Sequence, residues 1–249
     1  MKMHIRMLSI SISIIYCVTA VSAQRRESRP VTINRISDNL YETAGSRGAR
    51  GGFYIGDDSV LLIGAKMDKK SQDKVFEKIK NITDKLIMYL INTHSDGDHV
   101  GGNKFFPATV TIIAHENWRK EFFHTQRDGS PSGWNGPELS SFIPSITFNE
   151  RLDLYLGSKK VELYYFGVGH TTGDAVLYFP EEKTAFVGDQ LIIARPQLIH
   201  SYKGGNSFGH VKNLTKMLET LDAQQFFSGH DEMSDRQIVI KHIDSVLSG

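Results

Sequence analysis

The chain has 249 residues, a formal net charge of +1, 40% hydrophobic and 23% charged residues. Those are the proportions of an ordinary globular protein, long enough for one large domain or two small ones. So even a charge balance gives no reason to expect nucleic acid or an anionic membrane surface as partner.

The first 23 residues differ from the rest. A short basic start, "MKMHIR", precedes an apolar run, "MLSISISIIYCVTAV", too short to span a bilayer comfortably. Small or β-branched Val21 and Ala23 then lead into polar "QRRES". This pattern predicts a secretory signal peptide at 1–23, cleaved after Ala23. Cleavage leaves residues 24–249, predicted as one domain. It removes Lys2, Arg6 and Cys17, so the mature charge falls from +1 to −1 and no cysteine remains. The mature chain forms no disulfide and has no thiolate nucleophile or ligand. The expected location is the periplasm or the exterior, with no stable membrane association after cleavage.

Past a polar lead, "VTINRISDNLYETAG" alternates apolar and polar residues as strands do. "GSRGARGG", Gly45 to Gly52, reads as a flexible hairpin tip. "FYIGDDSVLLIGA" supplies two more strands. "KKSQDKVFEKIKNIT" carries Val75, Phe76 and Ile79 on one helical face. "KLIMYLINTH" is a continuous apolar run, predicted as a strand buried on both faces. A strand leading into a helix from about His115 follows, then a Gly/Ser/Pro-rich loop from Gln126 to Pro144 that contains Trp134. Four or five strands are predicted between Glu150 and Leu191, a helix in "SFGHVKNLTKMLETLD", a short strand in "AQQFFSGH" and a closing helix in "DRQIVIKHIDSVLS".

The chemistry is concentrated in "INTHSDGDHVGGN", Ile91 to Asn103, at the end of the predicted buried strand. Open α/β sheets place ligands at that end of their strands. In an extended segment His94, Asp96 and Asp98 point to one side, and Gly97 lets the chain bend so that His99 joins them. Three more candidates each follow a glycine at the end of a strand-like run: His170 in "GVGHTTGD", Asp189 in "FVGDQ" and His230 in "FSGHDE". Seven nitrogen and oxygen ligands suit two metal ions with one bridging carboxylate and an open solvent position.

The order and surroundings of these motifs resemble the metallo-β-lactamase superfamily over about residues 31 to 249. The family's first motif is His-x-His-x-Asp-His, and here it reads His94-Ser95-Asp96-Gly97-Asp98-His99. The resemblance implies an α/β fold, a four-layer αβ/βα sandwich with the metals at one edge. It implies two divalent ions, zinc first. His94, His170 and residue 96 would take the first ion, and Asp98, His99 and His230 the second, with Asp189 bridging.

Two positions depart from the family pattern. Asp96 stands where histidine is usual. As a ligand it would weaken the first metal as a Lewis acid and favour iron(II) or manganese(II); otherwise it stands behind the ligands, and the first site is weak or empty. Gly64 in "LLIGAK" replaces an aspartate that commonly supports the site.

The implied activity is hydrolysis of an ester, lactone, thioester or amide by metal-held hydroxide, with Asp98 as the catalytic residue that orients or deprotonates the water. The substrate is a small molecule. Alternatives are a β-lactamase, an iron-dependent sulfur-oxidising relative, or a metal-binding protein without turnover. His115, His124 and His242 are expected at the surface or its boundary. His200, Tyr202, Lys203 and His210 are secondary candidates for substrate contact, Arg47 and Arg50 for clamping a carboxylate, and Asp174 for ordering the "HTTGD" turn.

Overall fold

The computed structural model describes residues 29–124, 128–131 and 137–248. The predicted signal peptide and Trp134 lie outside them. In chain order the described elements are β1 (Thr32–Arg35), β2 (Leu40–Ala44), β3 (Gly51–Ile55), β4 (Ser59–Ile63), α1 (Lys69–Lys80), β5 (Leu86–Ile91), α2 (Gly97–Val100), β6 (Thr111–His115), α3 (Glu116–Glu121), β7 (Ile146–Phe148), β8 (Arg151–Leu156), β9 (Lys159–Tyr165), β10 (Ala175–Phe179), β11 (Thr184–Gly188), α4 (Ser207–Thr220), β12 (Gln225–Ser228), β13 (Ser234–Asp235) and α5 (Arg236–Ser248).

Strands β1 to β7 form one sheet in sequence order, and the second sheet has the order β13-β12-β11-β10-β9-β8. The period-2 geometry of the strands separates three apolar layers. In β4, Leu61 and Ile63 join a cluster with Leu177 and Phe179 of β10 and Phe186 of β11, which is the seam between the sheets. Their neighbours Val60 and Leu62 turn the other way and pack with Val75 and Ile79 of α1. In β10, Val176 and Tyr178 pack with Leu214 and Met217 of α4 and Val239 of α5. The result is helix, sheet, sheet, helix: the expected four-layer sandwich. Each large apolar side chain buried in these layers contributes about 1.5–3 kcal/mol.

Helix α1 starts where Asp68 accepts a 2.8 Å hydrogen bond from Ser71 N, and Lys78 and Lys80 sit in its last turn. Both features suit the helix dipole and the unpaired terminal amides. Strand β5 is more exposed than the continuous apolar run suggests. Leu86 is 72% exposed and Met88 37%, whereas Leu90 and Ile91 are fully buried. The run enters at the surface and submerges only as it nears the motif. Short β7 and β13 carry no clear pattern in sequence; each is fixed by pairing, β7 parallel to β6 and β13 antiparallel to β12.

Candidate metal centre

All seven predicted ligands converge at one edge of the sandwich. They come from the loop after β5 with α2, the turn before β10, the end of β11 and the turn after β12. His94, Asp96, His170 and Asp189 form one group whose ligand atoms lie within 4.8 Å of one another, and Asp98, His99 and His230 form a second. Asp189 lies between them. Its Oδ1 is 3.1 Å from His99 Nε2; its Oδ2 is 3.0 Å from His230 Nε2, 3.9 Å from His94 Nε2 and 4.0 Å from His170 Nε2.

The local route differs from an extended segment. Helix α2 begins at Gly97, so Asp98 and His99 sit on one helical turn while Asp96 caps it from outside. That bend directs Asp96 toward the first group and Asp98 and His99 toward the second. Close backbone packing holds the turn. A Cβ on Gly102 would lie 2.1 Å from Lys66 O, and one on Gly101 2.7 Å from Gly97 O. Asn92 and Asn103 pair through their buried amides, Asn103 Nδ2 donating to Asn92 Oδ1 at 2.9 Å, and Asn92 Nδ2 donates to His99 O at 3.1 Å. The glycine-rich tip between β2 and β3 is docked here: Ala49 N donates to Asp98 O and Arg50 N to Gly229 O. Arg50 is committed to Glu42 Oε1 at 2.7 Å rather than to a ligand.

The residues fit a metal centre on an observation internal to the site. His94 Nε2 is buried with no hydrogen-bond partner, and His99 Nε2 and Asp189 Oδ1, also buried, have only each other at 3.1 Å without hydrogen-bond alignment. Polar atoms so placed are costly unless something meets them. The histidines are also oriented as metal ligands are, with the far nitrogen engaged. His94 Nδ1 shares a 3.0 Å hydrogen bond with Thr93 Oγ1, and His170 Nδ1 is 2.8 Å from Leu198 O. These contacts orient the first group with glycine at position 64.

Electrostatics separate the groups. Burial, helped by neighbouring His99, pushes His94 down to about 4. Burial also opposes charge on His170, but the hydrogen bond to Asp96 prevails and raises it to about 9. Hydrogen bonds to Asp189 and Asp98 raise His230 to about 10. Burial alone would lift the carboxyl groups of Asp96, Asp98 and Asp189; the surrounding histidines outweigh it and hold all three below the usual carboxylate range. Asp98 is the most open of the three carboxylates, its side chain 29% exposed against 12% for Asp96 and 3% for Asp189.

Other candidates resolve as follows. Asp174 orders the His170 turn, accepting from Thr171 N at 2.9 and 3.0 Å and from Thr171 Oγ1 at 2.6 Å. His200 and Lys203 reach Asp96. His210 is fully buried behind the site, and Tyr202 is half exposed. His124 is exposed, as expected. His115 and His242 are buried instead, 3% and 8% exposed. His115 stacks on Tyr165 at 3.7 Å, and its Nε2 is 2.8 Å from Asn149 O, which satisfies it inside the fold. Glu121 was not legible as a site residue. At the end of α3 it accepts hydrogen bonds from Thr172 N and Oγ1 and from Ser95 Oγ, joining α3 to both ligand turns.

Two facing sheets with clustered histidines and aspartates at one edge define a metallohydrolase scaffold. Residues 41–230 match the family model of the metallo-beta-lactamase superfamily. The chain is 24% identical over 243 residues to a metallo-beta-lactamase type 2 of Elizabethkingia meningoseptica, covering 93% of this chain and 90% of that protein. Among solved structures it resembles a metallo-beta-lactamase from Pontibacter korlensis, with TM-score 0.75, 16% identity, and coverage of 88% of this chain and 100% of that one. It also resembles the DIM-1 metallo-beta-lactamase, with TM-score 0.71, 18% identity, and coverage of 89% and 99%. The chain belongs to the metallo-beta-lactamase superfamily, a superfamily of metal-dependent hydrolases.

Proposed function

We propose that this chain is an exported hydrolase that uses two divalent ions, zinc first, to cleave an ester, lactone, thioester or amide bond in a small molecule. The observation that carries the reading is the convergence of seven ligand side chains in two adjoining groups, with His94 Nε2 buried among them without a hydrogen-bond partner. His94, Asp96 and His170 hold the first ion, and Asp98, His99 and His230 the second, with Asp189 between. Ions bound there make water acidic enough to act as a nucleophile near neutral pH and polarise the carbonyl under attack.

The chain's own residues do the rest. Asp98 Oδ2 lies 3.2 Å from His230 Nε2, and its side chain, 29% exposed, keeps an oxygen edge toward the opening. It orients the attacking water or deprotonates it. Asp189, nearly fully buried, is fixed between the groups and holds them at constant separation. The leader pattern read in the sequence supports export of a mature single-domain chain, residues 24–249, to the periplasm or outside the cell. Its even charge suits small molecules rather than nucleic acid.

A β-lactam is a cyclic amide and so falls within this class. The relative from Elizabethkingia meningoseptica is named for that activity across nearly its full length, which supports a second reading as a β-lactamase. Asp96 in place of histidine ranks it below the broader one.

The test is a panel of lactone, thioester, ester and β-lactam substrates with metal analysis of the purified protein. Hydrolysis of at least one substrate, lost by about 100-fold or more in Asp98→Ala, is the expected result. Full activity in Asp98→Ala contradicts the role given to that residue. Oxygen consumption by an iron-loaded protein points to the sulfur-oxidising alternative. Metal binding without turnover of any substrate points to a binding protein.

A further inference from the structure

Asp96 is the position at which the motif departs from its family, and its two oxygens have different surroundings. Oδ2 faces imidazoles: His200 Nε2 at 2.8 Å, His170 Nε2 at 3.1 Å and His94 Nε2 at 3.6 Å. Oδ1 is held by the Lys203 ammonium at 2.5 Å. Lys203 is held on the site by two hydrogen bonds and a nearby carboxylate charge. Of its three N–H donors, one serves Asp96, one serves Ser95 Oγ at 2.7 Å, and Glu121 Oε2 lies 3.9 Å away. Glu121 is itself fixed by Thr172 and Ser95. The lysine side chain is 17% exposed and Asp96 12%, so the pair is weakly screened.

The backbone delivers this contact. His200 N donates to His170 O at 2.9 Å, and a single 3-10 turn, Ser201–Lys203, ends at Gly204 in the left-handed region at φ 75°. The same stretch therefore brings His200 and Lys203 back over the first ligand group. Its basic residues serve the site rather than await a substrate.

We propose that Lys203 is a positioning residue that compensates the exchange of histidine for aspartate at position 96. It binds Oδ1, cancels the added charge and leaves Oδ2 as the one oxygen that Asp96 offers to the first ion, beside His94 and His170. This rests on the two-ion reading above. A carboxylate unpaired at that position would favour harder ions over zinc. The Asp96–Lys203 pair presents a neutral oxygen donor, much as histidine presents a neutral nitrogen, and the first site keeps its preference for zinc.

The experiment is titration of the chelator-treated protein with zinc and with manganese, reading equivalents bound and the ratio of affinities at the weaker-binding site. The wild type is expected to bind two equivalents of zinc. Lys203→Met removes the charge at similar length. It is expected to shift the zinc-to-manganese ratio toward manganese by about tenfold or more, the scale on which residues behind a ligand tune metal affinity. Adding Asp96→His to Lys203→Met is expected to return the ratio to that of the wild type. Asp96→Asn leaves the lysine charge uncompensated and is expected to weaken one of the two zinc sites by a similar factor. An unchanged ratio in Lys203→Met, with two equivalents still bound, overturns the proposal and leaves the two-ion reading standing. Fewer than two equivalents in the wild type overturns the two-ion reading itself, and this inference with it.

Discussion

At the scale of residues, the site depends on where each polar atom finds a partner. His210 is the counterexample among the described residues: both ring nitrogens are buried without a hydrogen-bond partner. Burial pushes it down to about 4, with His242 and His170 adding repulsion. The folded value lies below the unfolded one, near 6.5. As pH falls, the unfolded chain therefore takes up its proton first. Stability from this residue is complete above about pH 6.5 and drains away toward pH 4. For metal-free protein, denaturant titrations at pH 7.5 and 5 are expected to differ by about 2 kcal/mol from this group alone. His210→Leu is expected to remove that share of the difference. An undiminished pH dependence in the variant contradicts the assignment.

At the scale of elements, glycines set how closely the ligand turns meet. A Cβ on Gly229 would lie 2.2 Å from Asp189 Oδ1 and 2.5 Å from His99 Cε1. Gly188 combines φ 55° with a Cβ position 2.4 Å from Thr93 Oγ1. Gly229→Ala is expected to lower zinc affinity by about 10- to 100-fold by displacing two ligands; equilibrium dialysis reads this directly, and unchanged affinity would mean the turn yields without cost. Trp118 of α3 is fully buried in a cluster with Val100 of α2, and its backbone packs against Gly173 in the His170 turn. Trp118→Ala is expected to cost about 3–5 kcal/mol in denaturant unfolding. A cost below about 1 kcal/mol would show that α3 is not a support of the site.

How much of this the sequence disclosed follows from the range of the signals. Helices α1, α4 and α5 and the strands β8 to β11 were legible because their patterns are local. The first ligand turn was legible from its crowded histidines and aspartates, and the other three because each places its ligand directly after a glycine. The start of α2 at Gly97 was not, since a four-residue helix has no periodicity to read. Neither were the Asn92–Asn103 pair, Glu121 or the grip of Lys203 on Asp96. The last joins positions 107 apart in sequence, and no pattern along the chain announces such a contact.

At the scale of the whole molecule, the two sheets serve as rigid arms that bring distant turns to one edge. The sheet of β1 to β7 supplies Asp96, Asp98 and His99 with His94; the sheet of β8 to β13 supplies His170, Asp189 and His230. Metal bound across that edge ties the halves together, so chelation is expected to lower the unfolding temperature, and added zinc to restore it in proportion to the logarithm of its concentration. An unfolding temperature indifferent to chelator would mean that the sandwich does not draw stability from the centre.

The most direct test of the central claim is a crystal structure of the zinc-soaked chain with anomalous diffraction measured at the zinc edge. Two peaks are predicted, one bounded by His94, Asp96 Oδ2 and His170 and the other by Asp98, His99 and His230, with Asp189 touching both and Lys203 still on Asp96 Oδ1. A single peak, or two peaks with Asp189 bound to neither, would contradict the account.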